Sequence, residues 1–290
     1  MRENIPIGLG RLFVGCAAMF LASAAPAQAY DANDLQKFQD TKLCVRCDLR
    51  QAVLPNGSFP KSSLRRANFR DADLKGIDLS ESDMERADFR RANLERANLK
   101  GASLPKAYFA GADLEKASLT GADLSETDSR NADMEKADLR QANFNEADLR
   151  GSLMKRAAME EAILTNADLR GVRLERADMK GVNAAKAKFN NSDMARVVLI
   201  DAQLQEADFS RVRLERADFS GALLGGANFD DALLHLAIFS GADLENVRGL
   251  KQEQLTTACG DEDTKLPGGL EIKACQEGRA RQRGAVGPDS

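Results

Sequence analysis

From Leu49 to Leu244 a large apolar residue recurs at every fifth position without an insertion, and only Ser129 and Ala184 break the series. A small residue stands two positions before each of these centres. It is mostly Ala from Ala52 to Ala242, and only Ile77 there is larger than Val. Asp, Asn and charged residues fill the remaining positions. A step of five suits neither regular element. On an α-helix it advances the side chain by roughly 140°, so the centres would spiral around the axis. In a strand an odd step sends successive centres to opposite faces. A chain that turns once every five residues brings each centre and each small residue back to one axis, which predicts a solenoid whose neighbouring coils bury one another's apolar positions.

A longer period sets the number of sides per coil. Phe69, Phe89 and Phe109 are twenty apart, as are Phe189, Phe209 and Phe229. Arg96, Lys116, Lys136, Arg156, Arg176, Arg196 and Arg216 keep the same step, whereas the column shifted by ten mixes Arg86, Lys106, Glu126, Glu146, Asn166, Lys186 and Glu206. Four five-residue sides per turn therefore make a square coil. Stacked about 4.8 Å apart, such coils build a rod on the order of 50 Å long. The Phe columns become internal stacks of rings.

Blocks such as Ala87-Asp88-Phe89-Arg90-Arg91, Ala112-Asp113-Leu114-Glu115-Lys116 and Ala227-Asn228-Phe229-Asp230-Asp231 fit an A-(D/N)-(L/F)-x-x unit. In these blocks, over residues 47–248, the chain resembles the pentapeptide-repeat family. The resemblance implies an all-β fold, a right-handed quadrilateral β-helix. It also brings a functional expectation, since some members imitate duplex DNA and bind type II topoisomerase. Fold-level likeness alone does not transfer function.

The five-residue pattern is absent between Tyr30 and Leu43, where Asp34 to Phe38 predicts a short helix with Leu35 and Phe38 on one face. It stops again after Val247, and Lys251 to Ala258 predicts a helix ended by Gly260. A β-helix has open ends that invite end-to-end association. Residues 30–46 and 249–275 are expected to cover them with short capping helices, and residues 276–290 form a polar tail expected to be disordered.

Residues 1–29 read as an export signal, with Arg2 and Arg11, an apolar run from Leu12 to Ala25, and Ala27-Gln28-Ala29 as the cleavage site. Two rivals are a membrane anchor, for which the run falls short of the roughly 20 residues a span needs, and a lipoprotein at Cys16, for which Phe13-Val14-Gly15 is a poor signal. The expected location is the periplasm or the exterior, with cleavage after Ala29. Loss of Arg2, Arg11 and Glu3 leaves 39 basic and 44 acidic residues, a net charge of −5. That is mild, and the signs alternate within each unit, as on a solvated solenoid face. Neither polyanion binding nor imitation of nucleic acid is suggested by the total.

The mature chain would hold Cys44, Cys47, Cys259 and Cys275. Four cysteines in an exported chain allow two disulfides in three pairings. A disulfide needs Cα atoms within about 7 Å, so a rod with one pair at each end leaves only Cys44 with Cys47 and Cys259 with Cys275. Cys44-Val45-Arg46-Cys47 also fits the C-x-x-C of a thiol oxidoreductase, but such pairs react at a helix N-terminus in a βαβ setting. Here both cysteines fall at inward positions. A zinc site would need both pairs together, and His235 follows the centre Leu234 and points outward. No nucleophile and base pair, phosphate loop or hydride-cofactor fingerprint is present in the sequence, so no catalytic residue, metal or cofactor is expected. Asp73, Asp83, Asp88, Asp113, Asp123 and Asp133 hold one position in their units, where a short acceptor side chain can take a nearby backbone N–H.

Two outward columns carry repeated positive charge. One runs through Arg96, Lys116, Lys136, Arg156, Arg176, Arg196 and Arg216; the other holds Arg70, Arg90, Arg130, Arg150 and Arg170 and is broken by Ala110. Like charges about 4.8 Å apart repel by nearly 1 kcal/mol even at water's dielectric. Glu95, Glu115, Glu135, Glu175 and Glu215 beside the first column, and Asp88, Asp128, Asp148 and Asp168 beside the second, point to salt-bridge ladders. Lys155 replaces the Glu at one coil, which makes Lys155, Arg156, Arg176 and Arg196 the candidate interaction surface. The leading expectation is a non-enzymatic exported scaffold whose flat faces contact a protein or another envelope component, with no specific nucleic acid partner. The alternatives are a topoisomerase-binding DNA mimic and a redox protein acting through the C-x-x-C.

Overall fold

The structure is a computed structural model that describes residues 30–276. The expected export signal and cleavage site, Cys16 and the tail beyond Gln276 lie outside the described residues.

Every fifth residue makes a parallel bridge to the residue twenty positions on, from Leu43 with Ser63 to Asn228 with Arg248. The coil is therefore twenty residues long with four sides. Each side contributes one bridging residue between β-turns, so regular strands are almost absent. Among the described residues only β1 (Cys259–Gly260) and β2 (Lys273–Ala274) run to two residues.

One unit shows why this sequence folds this way. Ala112 donates its N–H to the carbonyl of Phe109 across the turn at 2.8 Å, and Asp113 donates to Ala92 of the preceding coil at 3.0 Å. Leu114 and Lys116 donate to Asp133 and Glu135 of the following coil at 2.6 and 3.0 Å. The fifth N–H, that of Glu115, goes to the Asp113 side chain at 2.9 Å. Every backbone donor of the unit has a partner, and the acidic position supplies the one that the backbone cannot.

Lys116 itself sits at φ 58°, the left-handed region a tight turn demands of its third residue. A residue with a Cβ costs about 1–2 kcal/mol there. The turn bond from the Ala117 N–H to the Leu114 carbonyl at 3.0 Å and the Lys116 to Glu135 bond hold it in place. The small position follows from the same turn. Ala112 and its counterparts face the axis beside the bulky centres, and both sets are buried except at Gly57 and Phe59 in the N-terminal coil, which are half-buried.

Inside, Phe69, Phe89 and Phe109 stack with ring centroids 5.1 Å apart at each step. Phe189, Phe209 and Phe229 stack at 5.1 and 5.3 Å, and Phe219 meets Phe209 edge-on at 5.9 Å. Ser129, which interrupts the apolar series, is fully buried, with its hydroxyl 3.3 Å from that of Thr127.

At the N-terminal end α1 (Ala32–Thr41) is capped by Asp31, whose side chain accepts the N–H of Asn33 and Asp34. Phe38 is buried, with its ring centroid 4.5 Å from that of Phe59 and 6.2 Å from that of Phe69. The Asp34 carboxylate accepts the Asp48 N–H at 2.8 Å, and Asp31 donates to the Asp48 carbonyl at 2.9 Å. Backbone groups of the first coil are thus bonded to the segment carrying α1.

The C-terminal segment differs from the helix expected over Lys251 to Ala258. The helix α2 is confined to Gln252–Leu255. It stops because the chain is drawn onto the last coil. The Thr257 hydroxyl accepts the Leu236 N–H at 3.2 Å. Cys259 then pairs with Ile238, and Lys265 with Asp243. The Gln254 amide donates to the carbonyls of Phe229 and Ala232 at 2.9 and 2.8 Å. Coil stacking therefore continues beyond Val247, with steps of twenty-one and twenty-two residues instead of twenty. Among the described residues no helix is long and apolar enough to cross a membrane.

Candidate functional site

The two cysteine pairs lie where the spacing places them. Cys44 and Cys47 form a disulfide with Cα atoms 5.3 Å apart, and Cys259 and Cys275 form another at 4.8 Å. Cys44 is fully buried and Cys47 is 2% exposed. Asp34 lies close enough to both sulfurs to suggest a metal-binding triad. Both sulfurs are bonded to each other, however, and the Asp34 carboxylate is taken by the Asp48 N–H. The second disulfide fastens β2 to β1, which are parallel with Cys259 opposite Lys273. His235 is exposed, and its Nδ1 lies 2.9 Å from the Thr257 hydroxyl.

From Arg90 onward the second basic column is neutralised by its own coils, whereas Arg70 has Asn68 in the place of the Asp and its Nε has no hydrogen-bond partner. Arg130 holds Asp128 through two bonds of 2.7 Å. Arg150 holds Asp148, and Arg170 holds Asp168, through bonds of 2.8 and 2.6 Å. Arg90 makes the same fork on Asp88. The hydrogen bond from Arg130 holds the Asp128 carboxyl below its ordinary range, and Arg140 does the same to Asp138.

The first column divides in two. Along its N-terminal part the ladder forms. Arg96 lies 3.6 Å from Glu95, and Glu115 takes Lys116 at 2.8 Å and Lys136 at 3.7 Å. The hydrogen bond from Lys116 holds the Glu115 carboxyl below its ordinary value. At the next three coils the ladder fails. Glu175 is claimed by Lys155 at 3.1 Å and by Arg173 at 3.3 Å. Burial works against its carboxylate, but these two cations outweigh burial and its pKa is lowered. Asp193 is taken by Arg213 at 2.6 Å, and Ala195 stands where a Glu would pair with Arg196.

Arg156, Arg176 and Arg196 are exposed, and among the described residues none of their guanidinium groups joins an ion pair. Lys155, read from the sequence as part of the unbalanced charge, belongs instead to the paired set. A shallow cleft of about 350 Å³ lies along this corner, lined by Glu135, Lys136, Lys155, Arg156, Glu175 and Arg176. Sequence reasoning did not give Arg173 a part. Its signal was the step of two to Glu175, repeated forty residues on by Arg213 and Glu215.

A four-sided parallel coil of five-residue units, with a local disulfide near each end and repeated ion pairs on its surface, defines a β-helical repeat protein. The family model for pentapeptide repeats matches eight copies within residues 44–248, and the chain belongs to the pentapeptide-repeat family. Among solved structures, it is similar to HetL, a pentapeptide repeat protein involved in heterocyst differentiation regulation in the cyanobacterium Nostoc sp. strain PCC 7120. The identity is 24%, covering 81% of this chain and 99% of that one, with a TM-score of 0.43. QnrB1, a plasmid-mediated fluoroquinolone resistance protein, aligns at 19% identity over 66% of this chain and 91% of its own, with a TM-score of 0.39. A pentapeptide repeat protein of the Arabidopsis thaliana thylakoid lumen shows 38% identity over 38% of this chain and 66% of its own, with a TM-score of 0.16. A search of curated proteins finds no match.

Proposed function

We propose that this chain is an exported, non-enzymatic scaffold. Its right-handed coil, closed at the two ends by α1 and by the segment from 249 to 275, presents flat, repetitive faces to a protein or envelope component in the periplasm or outside the cell. The observation that carries the export reading is the pair of local disulfides at the two ends, since such bonds persist in oxidising compartments. The sequence adds the basic, apolar and small-residue pattern of residues 1–29. The scaffold reading rests on repetition. Successive coils carry the same turn, the same buried centre and the same acidic acceptor, and among the described residues no group is set apart from its neighbours as a catalytic pair would be. The surface is interlaced with ion pairs of both signs, unlike the strongly acidic face that imitation of DNA requires.

Cell fractionation with N-terminal sequencing tests this reading. The expected result is a mature chain beginning at Tyr30 in the periplasmic or secreted fraction. An uncleaved chain in the cytosol would overturn it.

A further inference from the structure

Most outward charges of this coil are used by the coil itself; the row formed by Arg156, Arg176 and Arg196 is not. These residues occupy one corner of three successive coils at φ 55°, 61° and 61°, so closely similar backbone geometry starts the three side chains from equivalent positions. The coils rise about 4.8 Å per step, so the three residues occupy successive positions in one column along the rod. Of the carboxylates near the row, Glu175 gives Oε1 to Lys155 and Arg173 and Asp193 pairs with Arg213, while Glu135, which lines the same cleft, joins no ion pair among the described residues. Asp178 on the adjoining side uses Oδ1 to accept the Lys180 N–H at 3.2 Å.

The surroundings of the row are aliphatic as well as charged. Ala158 and Val198 flank Asp178 on one side, Leu153 precedes Arg173 on the other, and Ala195 adjoins Arg196, all half-buried. Arginine set among small apolar side chains is the composition of a protein contact, whereas nucleic acid surfaces call for a denser field of cations. The spacing also selects the partner. Acidic side chains on one face of an α-helix recur about every 5.4 Å along its axis, close to the rise of the coils. Each guanidinium presents a planar fork that a carboxylate can accept through two parallel bonds.

We propose that Arg156, Arg176 and Arg196 form the docking surface for an acidic helical segment of a protein partner, laid lengthwise along this corner of the coil. The proposal rests on the scaffold reading and gives it a specific surface and a specific partner chemistry.

The test uses purified protein with both disulfides intact and a fluorescent peptide of repeated Glu-Ala-Ala-Ala units, with binding followed by anisotropy. Binding is expected, and it should weaken steeply as salt rises. The triple variant R156E/R176E/R196E should lower affinity by more than about tenfold, and R156Q/R176Q/R196Q should do so without charge reversal. A control with the same change in net charge on scattered cations, R66E/K100E/R211E, should stay within about twofold of the parent. Circular dichroism and disulfide mapping check that each variant is folded.

Absence of binding to the peptide would overturn the proposal. So would equal loss in the row and control triples, which would reduce the effect to net charge. Tighter binding to heparin, duplex DNA or phosphatidylglycerol vesicles than to the peptide would also overturn it, by assigning the row to another polyanion. The binding assay is independent of where the protein resides. Its failure leaves the scaffold reading to fractionation, and a cytosolic location would leave the peptide result standing.

Discussion

The Oδ1 of Asp113 accepts the backbone N–H of Glu115 at 2.9 Å. This bond takes the one donor in the unit that neither the turn nor the stacked coils can reach, and it recurs along the chain, as from Glu135 to Asp133 and from Ser125 to Asp123. Asp113→Ala should therefore cost about 1 kcal/mol in denaturant unfolding by leaving that N–H to water alone. Asp113→Asn, which keeps an acceptor oxygen, should cost about half that or less. Equal losses in the two variants would remove the structural role assigned to the acidic position.

The interior leaves no place for a charged side chain at the small positions, which hold nothing larger than Ile77. Ala112 is 1% exposed and faces the axis, so Ala112→Arg should place an unpaired charge in a dry core and abolish recovery of soluble, folded protein. Lys116, four residues on, points outward to Glu115 at 2.8 Å with a side chain 37% exposed. Lys116→Ala should change stability by less than about 1 kcal/mol. Comparable tolerance at the two sites, read from soluble yield and thermal melting, would contradict the register.

Phe89 is gripped by Phe69 and Phe109, each with its ring centroid 5.1 Å away. Phe89→Ala should cost roughly 3–5 kcal/mol through lost burial and an unfilled gap. Phe89→Leu restores the side chain found at most other centres and should recover most of that loss. Calorimetric melting of the two variants checks the order.

Acid should loosen the rod in a definite window. Hydrogen bonds from Arg50, Arg130 and Arg140 hold the carboxyls of Asp48, Asp128 and Asp138 below their ordinary values in the folded chain. A group lowered on folding contributes stability above its unfolded pKa, about 3.9 for Asp, and loses that contribution as pH falls through the lowered value. The melting temperature should be flat from about pH 7 to 5 and fall below about pH 4. A melting temperature that holds steady down to about pH 2 would show that these pairs add nothing.

The fold was legible because its causes are local and repeated. The step of five specifies the turn, the step of twenty specifies the coil, and the ring columns at Phe69 and Phe189 are readable as stacks from their spacing. Disulfide pairing followed from shape. Two features were hidden for physical reasons. The residues after Val247 rejoin the coil with a step of twenty-one to Cys259 and twenty-two to Lys265, which breaks the strict period that marks the other units. The division of the first basic column was hidden because a carboxylate such as Glu175 can be claimed from several sides. Its partners, Lys155 from the preceding coil and Arg173 from two residues before, are settled by distance and not by column membership.

Peptide mapping of the non-reduced protein, recovered from the cells that make it, tests the central claim most directly. A rod folded in an oxidising compartment must carry Cys44 joined to Cys47 and Cys259 joined to Cys275, as the Cα separations of 5.3 and 4.8 Å require. Those two linkages, and no others within a monomer, are the predicted result. Cys44 joined to Cys275 in one chain would contradict the extended coil, and four free thiols would contradict export.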